Sequence, residues 1–241
     1  MNFARPAALR GLLPPSVAVV ETHGDVGEDC LFPGERVLLA GAVESRRREF
    51  ATARWCARRA LVELGQPAVA VLTGRHREPL WPDGIVGSLT HCAGYRAAAV
   101  ARASDIAAVG IDVEPSDELP GQVLDVVTVR EERVMLRRLS ERQPDVAWGR
   151  LLFSAKEAVF KAWFPLEGSW LDFTQCRITI HDDGRFTGDV LVPHEAGTAW
   201  RRGRWAVAGG HLVTAVAVSA AQSPPDAPEV RLDEEAPRRT S

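Results

Sequence analysis

The sequence predicts an α+β fold: a pseudo-twofold pair of similar α/β lobes with the functional site between them. Three observations carry that prediction. Two stretches have strong helical periodicity, each is followed by short apolar runs with strand character, and this helix-then-strands order occurs twice. The lobes divide as residues 1–105 and 106–220, and residues 221–241 read as a disordered tail.

Residues 1–35 hold several prolines and glycines and no sustained period, so they read as irregular structure with one short strand at Val17–Val20. A helical pattern runs from Gly34 to Leu64. Phe50, Ala53, Ala57, Ala60, Leu61 and Leu64 share one face, and Gly65 with Pro67 ends the run. Short strands follow at Val69–Leu72, Val86–Thr90 and Tyr95–Ala101. Ala107–Val113 reads as a buried strand running into Pro115. In the second half, helices are predicted at Arg130–Leu139 and at Trp148–Phe164, the latter stopped by Pro165. Strands are predicted at Cys176–Ile180, Arg185–Val192, Arg204–Ala208 and His211–Val218, with Asp183-Gly184 and Gly209-Gly210 as hairpin turns. After Ala220, proline and charge without apolar periodicity give the tail.

A chain of 241 residues can bury a sizeable core, and 46% hydrophobic with 25% charged residues is ordinary for a soluble protein. The formal net charge of −3 gives no global attraction to nucleic acid or to an anionic membrane, so any phosphate site must be local. Pro6, Pro14 and Pro15 interrupt the apolar residues near the N-terminus, so no export signal is expected. No stretch approaches the roughly 18–20 apolar residues that span a bilayer. Cys30, Cys56, Cys92 and Cys176 are scattered without a CxxC pair, which suits a reducing cytoplasm and argues against a zinc site. The P-loop, nucleophile-elbow, HExxH and Rossmann glycine signatures are all missing.

Four clusters carry chemistry. In VGIDVEP (109–115), a strand ends in Asp112 and Glu114. Their spacing of two puts both carboxylates on one side, where they can share a hard cation or simply meet solvent. In LLFSAKEAVFKAWF (151–164), Glu157 and Lys161 lie one helical turn apart on a largely apolar helix, which suits either a cleft or an exposed ion pair. GSLTHC (87–92) places His91 after a short strand, with Ser88 and Thr90 as candidate phosphate donors. The 44–64 helix is rich in arginine: Arg47, Arg54 and Arg58 fall within a narrow arc, with Arg46 one turn before Phe50. Converging guanidinium groups make a phosphate site; a solvated basic face is the plainer alternative.

Taken together and in this order, the clusters resemble the Sfp-type 4'-phosphopantetheinyl transferases, most of all the branch typified by EntD and mycobacterial PptT. The matching text is RRREFATAR (46–54), WPDGIVGSLTHCAGYRAAAV (81–100), VGIDVEP (109–115), FSAKEAVFKAWFPL (153–166) and WLDF (170–173), so the likeness spans roughly residues 44–218. The resemblance implies an enzyme that moves the 4'-phosphopantetheine of coenzyme A onto a serine of an apo acyl or peptidyl carrier protein and releases 3',5'-ADP. It implies that Asp112, Glu114 and Glu157 hold Mg²⁺, and that Glu157 completes the metal environment or acts as base. By the same resemblance, Lys161 contacts the pyrophosphate. Arg46, Arg54, Thr90 and His91 hold the nucleotide end, and Trp170 and Leu171 flank the pantetheine arm. Where relatives carry a lysine in the loop after the first helix, this chain has Thr73 followed by Arg75 and His76, with Arg75 as the substitute. The family implies a cytoplasmic monomer serving fatty-acid, polyketide, siderophore or nonribosomal-peptide carriers. The rival reading is a non-catalytic coenzyme A or nucleotide-binding regulatory module; such a binder has no need of three acids around a phosphate.

Overall fold

The computed structural model describes residues 8–193 and 202–220. The expected 221–241 tail lies outside the described residues. In chain order the elements are β1 (Ala18–Thr22), α1 (Pro33–Val37), α2 (Glu44–Glu63), β2 (Leu72–Thr73), β3 (Pro79–Leu80), β4 (Ile85–Cys92), β5 (Tyr95–Arg102) and β6 (Ile106–Pro115). The second half continues with α3 (Gly121–Val127), α4 (Arg130–Arg142), α5 (Trp148–Glu167), β7 (Cys176–Ile180), β8 (Arg185–Val190), β9 (Arg202–Ala208) and β10 (His211–Ser219).

Two antiparallel sheets form the frame, one of order β1-β5-β4 and one of order β6-β10-β9-β8-β7, beside a small β2-β3 ribbon. Helix α2 lays Cys56, Ala57, Ala60 and Leu61 on Ala18, Ala98 and Val100 of the first sheet. Helix α5 lays Leu151, Ala155, Ala158 and Val159 on Ile178, Leu212 and Val216 of the second. The opposite faces share a third core, where Ala97 and Ala99 meet Ile111, Val113 and Val213, closed over by Leu9 and Leu13. Burial from both sides explains why β5 and β6 read as continuous apolar runs and not as alternating ones. Each fully buried leucine here contributes roughly 1.5–3 kcal/mol by leaving water.

The sheets meet where β4 runs alongside β6. Side-chain hydroxyls bridge the seam: Ser88 Oγ accepts from the Ile111 N–H at 3.2 Å, and Thr90 Oγ1 accepts from the Val113 N–H at 3.1 Å. Gly110 sets the depth of α5 on β6. A Cβ at that position would lie 1.9 Å from the Ala158 carbonyl oxygen and 2.8 Å from the Ala162 nitrogen, so only glycine lets the helix sit this close.

Each half is pinned by a buried glutamate at the third position of a helix. Glu35 accepts from the Phe32 N–H at 2.9 Å, from Arg58 Nη1 at 2.7 Å and from the Val71 N–H at 2.9 Å. Glu132 accepts from the Val129 N–H at 2.8 Å, from Lys156 Nζ at 2.9 Å and from the Ile178 N–H at 2.7 Å. In both cases one carboxylate caps its own helix, neutralises a cation on the next long helix and holds the backbone beyond that helix. The glutamates lie in matching text, Glu35-Arg36-Val37-Leu38-Leu39 and Glu132-Arg133-Val134-Met135-Leu136, and their cations follow 23 and 24 residues later.

Several expectations are corrected. The 34–64 helix is broken: Gly41, with φ of 77°, takes the chain out of α1 before α2 begins at Glu44. The 69–72 strand shrinks to Leu72–Thr73, because the Val71 N–H is taken by Glu35 and not by a neighbouring strand. Pro165 does not end α5. The helix continues to Glu167 and is closed by Gly168, left-handed at φ 61°, whose N–H bonds the Phe164 carbonyl at 2.9 Å. Helix α3 is an addition, seven residues being too short for a helical period to stand out in the sequence. Strand β3 is likewise unforeseen, and the remaining strands lie within two residues of their expected ends.

Candidate active site

A cavity of about 1040 Å³ lies between the halves, walled by α2, the β2–β3 loop, β4, β6 and α5. Arg46, Arg54, His76, Thr90, His91, Asp112, Glu157 and Lys161 line it. Thus separate stretches of sequence come together in one cleft.

Asp112 and Glu114 stand on the α5 side of β6, as their spacing allows, because Asp112 pairs across the ladder with Thr214, which bonds Ser154 of α5. Asp112 Oδ1 accepts from Lys161 Nζ at 2.7 Å and from Thr90 Oγ1 at 3.3 Å. Its Oδ2 is buried without a hydrogen-bond partner. A buried lone pair left unsatisfied is costly, and here it belongs to a carboxylate in a cavity wall. Glu114 is tied to Arg150 Nη1 at 3.1 Å and stands behind Asp112, outside the cavity lining. Burial pushes the Glu114 carboxyl up and Asp112 adds to this, while Arg150 and Lys161 oppose it.

Glu157 lies one turn before Lys161 on α5. Its carboxyl is pushed up by burial first, with Asp112 and Glu114 adding and Lys161 opposing. Lys161 spends its hydrogen bonds on Asp112 and on the Ile111 carbonyl at 3.1 Å. Among the described residues, no group of three His, Cys, Asp or Glu side chains closes into a metal cage. Asp112 and Glu114 nonetheless repel Glu157, so the three acids form an anionic corner that Lys161 and Arg150 partly neutralise.

At the other end, Arg46 Nη1 lies 2.9 Å from His91 Nε2. Arg54 is 6% exposed, donates to the Val71 carbonyl at 2.7 Å and to Thr73 Oγ1 at 3.0 Å, and stacks its guanidinium 4.1 Å over the Phe50 ring. Burial, with Arg46 and Arg58 adding and Glu35 opposing, brings its pKa down to about 10, so it stays cationic at neutral pH. Cys92 beside His91 is held as a thiol at about 12, by burial first and then by Glu114 and Asp112. It is no nucleophile.

Some expected members fall elsewhere. The arc of Arg47, Arg54 and Arg58 does not converge on the cavity: Arg58 is buried on Glu35, and Arg47 binds Glu28 with Nε at 2.7 Å. Arg75 is exposed and outside the lining. Arg77, with a left-handed backbone at φ 69°, lines the cavity in its stead. Thr90 has its hydroxyl committed to Asp112 and the Val113 N–H, which makes it a bridge across the seam and not a free donor. Leu171 is buried in the core under α5, away from the lining, and Trp170 is 64% exposed outside the cavity. Trp170 meets the site through Phe160, its ring centroid 4.8 Å away. Phe160 and Phe164 line that end, and His76 packs 5.3 Å from Phe164. The buried pairs Glu35–Arg58 and Glu132–Lys156 escape a reading of the sequence, although the repeated ERV text marks them.

Arg46, Arg54, Arg77 and Lys161 facing Asp112 and Glu157 in one cleft between two helix-backed sheets agree with what family comparison finds. Residues 34–101 match the 4'-phosphopantetheinyl transferase N-terminal domain, and residues 108–217 match the 4'-phosphopantetheinyl transferase superfamily. The chain belongs to that superfamily. It is 51% identical over 217 residues to the 4'-phosphopantetheinyl transferase Svp of Streptomyces mobaraensis, covering 86% of this chain and 88% of Svp. It is 43% identical over 218 residues to PptT of Mycobacterium tuberculosis, covering 85% and 95%. Against enterobactin synthase component D of Salmonella typhi it is 33% identical over 196 residues, covering 78% and 79%. No helix among the described residues is long and apolar enough to cross a membrane.

Proposed function

We propose that this chain transfers the 4'-phosphopantetheine of coenzyme A to a serine hydroxyl of an apo acyl or peptidyl carrier protein. The observation that carries the reading is the buried, unpartnered Asp112 Oδ2 in the cavity wall, with Lys161 on the other oxygen and Glu157 on the facing helix. Hard carboxylate oxygens of this kind suit Mg²⁺, so Asp112 and Glu157 in the cavity wall would hold it, with Glu114, paired to Arg150 behind them, as the third candidate. Once bound, Mg²⁺ supplies charge neutralisation for a pyrophosphate and for the departing phosphate.

The protein's own groups divide the remaining work. Arg46, Arg54 and His91 take the nucleotide end with its 3'-phosphate, and Arg77 replaces Arg75 as the loop cation. Phe160 and Phe164 offer an apolar wall for the pantetheine arm. Glu157 takes the serine proton as the serine oxygen bonds to the pantetheine-side phosphorus. The phosphoanhydride bond to that phosphorus breaks and 3',5'-ADP leaves. A carboxyl pushed up by burial is a better base than one in water, which supports Glu157 in that role. Lys161 stabilises charge on the leaving pyrophosphate oxygen. The recurring ERV glutamates support reading the halves, 1–105 and 106–220, as a pseudo-twofold pair, although one sheet has three strands and the other five. A cytoplasmic monomer accords with cysteines scattered without a CxxC pair and with both halves lying in one chain.

The test is twofold. Asp112→Ala, still folded by circular dichroism, should abolish transfer while binding coenzyme A. Arg46→Ala and Arg54→Ala should weaken coenzyme A more than dephospho-coenzyme A. Equal losses for both ligands would reject the 3'-phosphate assignment, and undiminished transfer by Asp112→Ala would reject the metal assignment. A non-catalytic binder predicts coenzyme A binding with no transfer at all.

A further inference from the structure

Glu49 lies outside the cavity lining, yet its carboxylate sits beside two lining groups, Arg46 and His91, and near Arg96. Its Oε2 is 3.5 Å from His91 Nδ1 and 3.8 Å from Arg46 Nη1, and its Oε1 is 4.0 Å from Arg96 Nη2. The side chain is 26% exposed. Arg96 is itself fixed from the far side, donating to the Cys92 carbonyl at 2.7 Å and pairing with Asp25 at 3.0 Å. It stands directly across the β4–β5 ladder from His91. Glu49 of α2 therefore bridges the helix to both strands of this hairpin.

The protonation pattern follows from donor chemistry. A guanidinium has only N–H donors and no lone pair to offer. At 2.9 Å from Arg46 Nη1, His91 Nε2 must be the acceptor, and the imidazole must be neutral with its proton on Nδ1. The carboxylate nearest that proton is Glu49 Oε2, 3.5 Å away, a contact longer than a hydrogen bond. Burial, with Arg46 adding and Glu49 opposing, lowers the imidazole's affinity for a second proton, in keeping with this state.

We infer that Glu49 is a positioning residue that holds His91 in the Nδ1–H tautomer, so that Nε2 orients the Arg46 guanidinium toward a bound phosphate. Free imidazole favours the Nε2–H form modestly, so the Arg46 donor at Nε2 needs the Glu49 carboxylate beside Nδ1 to hold the other tautomer. With the tautomer fixed, Arg46 is already aimed before the ligand arrives, and less ordering is lost on binding. The functional half of this inference rests on the proposed coenzyme A reading; the tautomer half does not.

The experiment uses the full chain labelled with ¹⁵N-histidine, with His91 assigned among the six histidines by the His91→Gln difference spectrum. The wild-type spectrum should show Nδ1 protonated and Nε2 bare. Glu49→Gln keeps a carbonyl acceptor for Nδ1–H and should retain that tautomer, whereas Glu49→Leu should shift it toward Nε2–H. In kinetics, Glu49→Leu should raise KM for coenzyme A about tenfold, the loss of roughly one charge-assisted contact, with kcat within about twofold. Glu49→Gln should stay within about threefold of wild type in KM. A wild-type Nε2–H signal overturns the inference without any variant, and so does a Glu49→Leu protein with wild-type tautomer and KM. Equal failure of Gln and Leu also overturns it, because that marks a charge or folding role. Failure of wild-type protein to bind coenzyme A would sink the proposed function instead and leave the tautomer result to stand by itself.

Discussion

Replacing Lys156 by methionine keeps the aliphatic stem of a side chain that is 2% exposed and removes its charge. The Nζ lies 2.9 Å from Glu132 Oε2 and 2.7 Å from the Phe173 carbonyl. Glu132, 0% exposed, would keep only its two backbone N–H donors, leaving a buried carboxylate without a counter-charge. Breaking a buried pair in this way costs about 3–5 kcal/mol. For a domain of this size each kcal/mol moves the melting point by about 2–4 °C, so Lys156→Met should lose about 6–20 °C. Glu132→Gln should cost a similar amount by stranding Lys156. The double variant removes both charges and should cost about 1–3 kcal/mol, far below the sum, because an uncharged pair has no desolvated ion left over. Urea unfolding of the four proteins, compared at constant m, gives the coupling energy directly. Additivity within about 0.5 kcal/mol would refute the claim that these two charges neutralise each other in the core.

Three further outcomes follow from the site. Gly110→Ala must push α5 off β6, because its Cβ would meet the Ala158 carbonyl at 1.9 Å; it should cost about 1–3 kcal/mol and lower turnover by drawing Lys161 from Asp112, whereas Gly87→Ala, meeting Trp81 and β5, should not disturb that contact. Glu157 is raised above its ordinary 4.5 by burial first, so the ligand-free protein should lose stability as pH rises from about 4.5 through the raised value; Glu157→Gln in EDTA should melt higher than wild type at pH 7, and a lower melt there would count against the assignment. His91 is lowered below 6.5 by burial first, with Arg46, Lys161 and Arg96 adding and Glu49 opposing. Stability from this group is therefore complete above about 6.5 and is lost as pH falls through the lowered value; His91→Gln should flatten that slope, and parallel slopes would contradict it.

Periodicity makes the long helices legible, since the face of Phe50, Ala53, Ala57, Ala60 and Leu61 is the face that packs. The strands are readable for a different reason: β5 and β6 are buried on both sides, so their text is uniformly apolar. Strand alternation is enough by itself to put Asp112 and Glu114 on one side of β6. What local text does not carry is who meets whom across the fold. Arg47, Arg54 and Arg58 look alike on a helical projection, but Glu28, the Val71 carbonyl and Glu35 claim them separately, and those partners lie 17–23 residues away in sequence. The Gly41 break is hidden because the text on both sides of it is helical. Arg75 and Arg77 stand as equal candidates in the loop before Pro79, and only the folded loop, left-handed at Arg77, shows which of them lines the cavity. The ERV repeat is in plain sight, and only the shared role of its glutamates gives it meaning.

The central claim is group transfer from coenzyme A. Its most direct measurement is intact mass spectrometry of an apo carrier protein incubated with this chain, coenzyme A and Mg²⁺, with a parallel reaction in EDTA. The expected result is a carrier heavier by one phosphopantetheine, with the modification on its serine, 3',5'-ADP released, and no gain in EDTA. An unmodified carrier beside protein that binds coenzyme A would contradict the account, and a gain unaffected by EDTA would contradict its metal half.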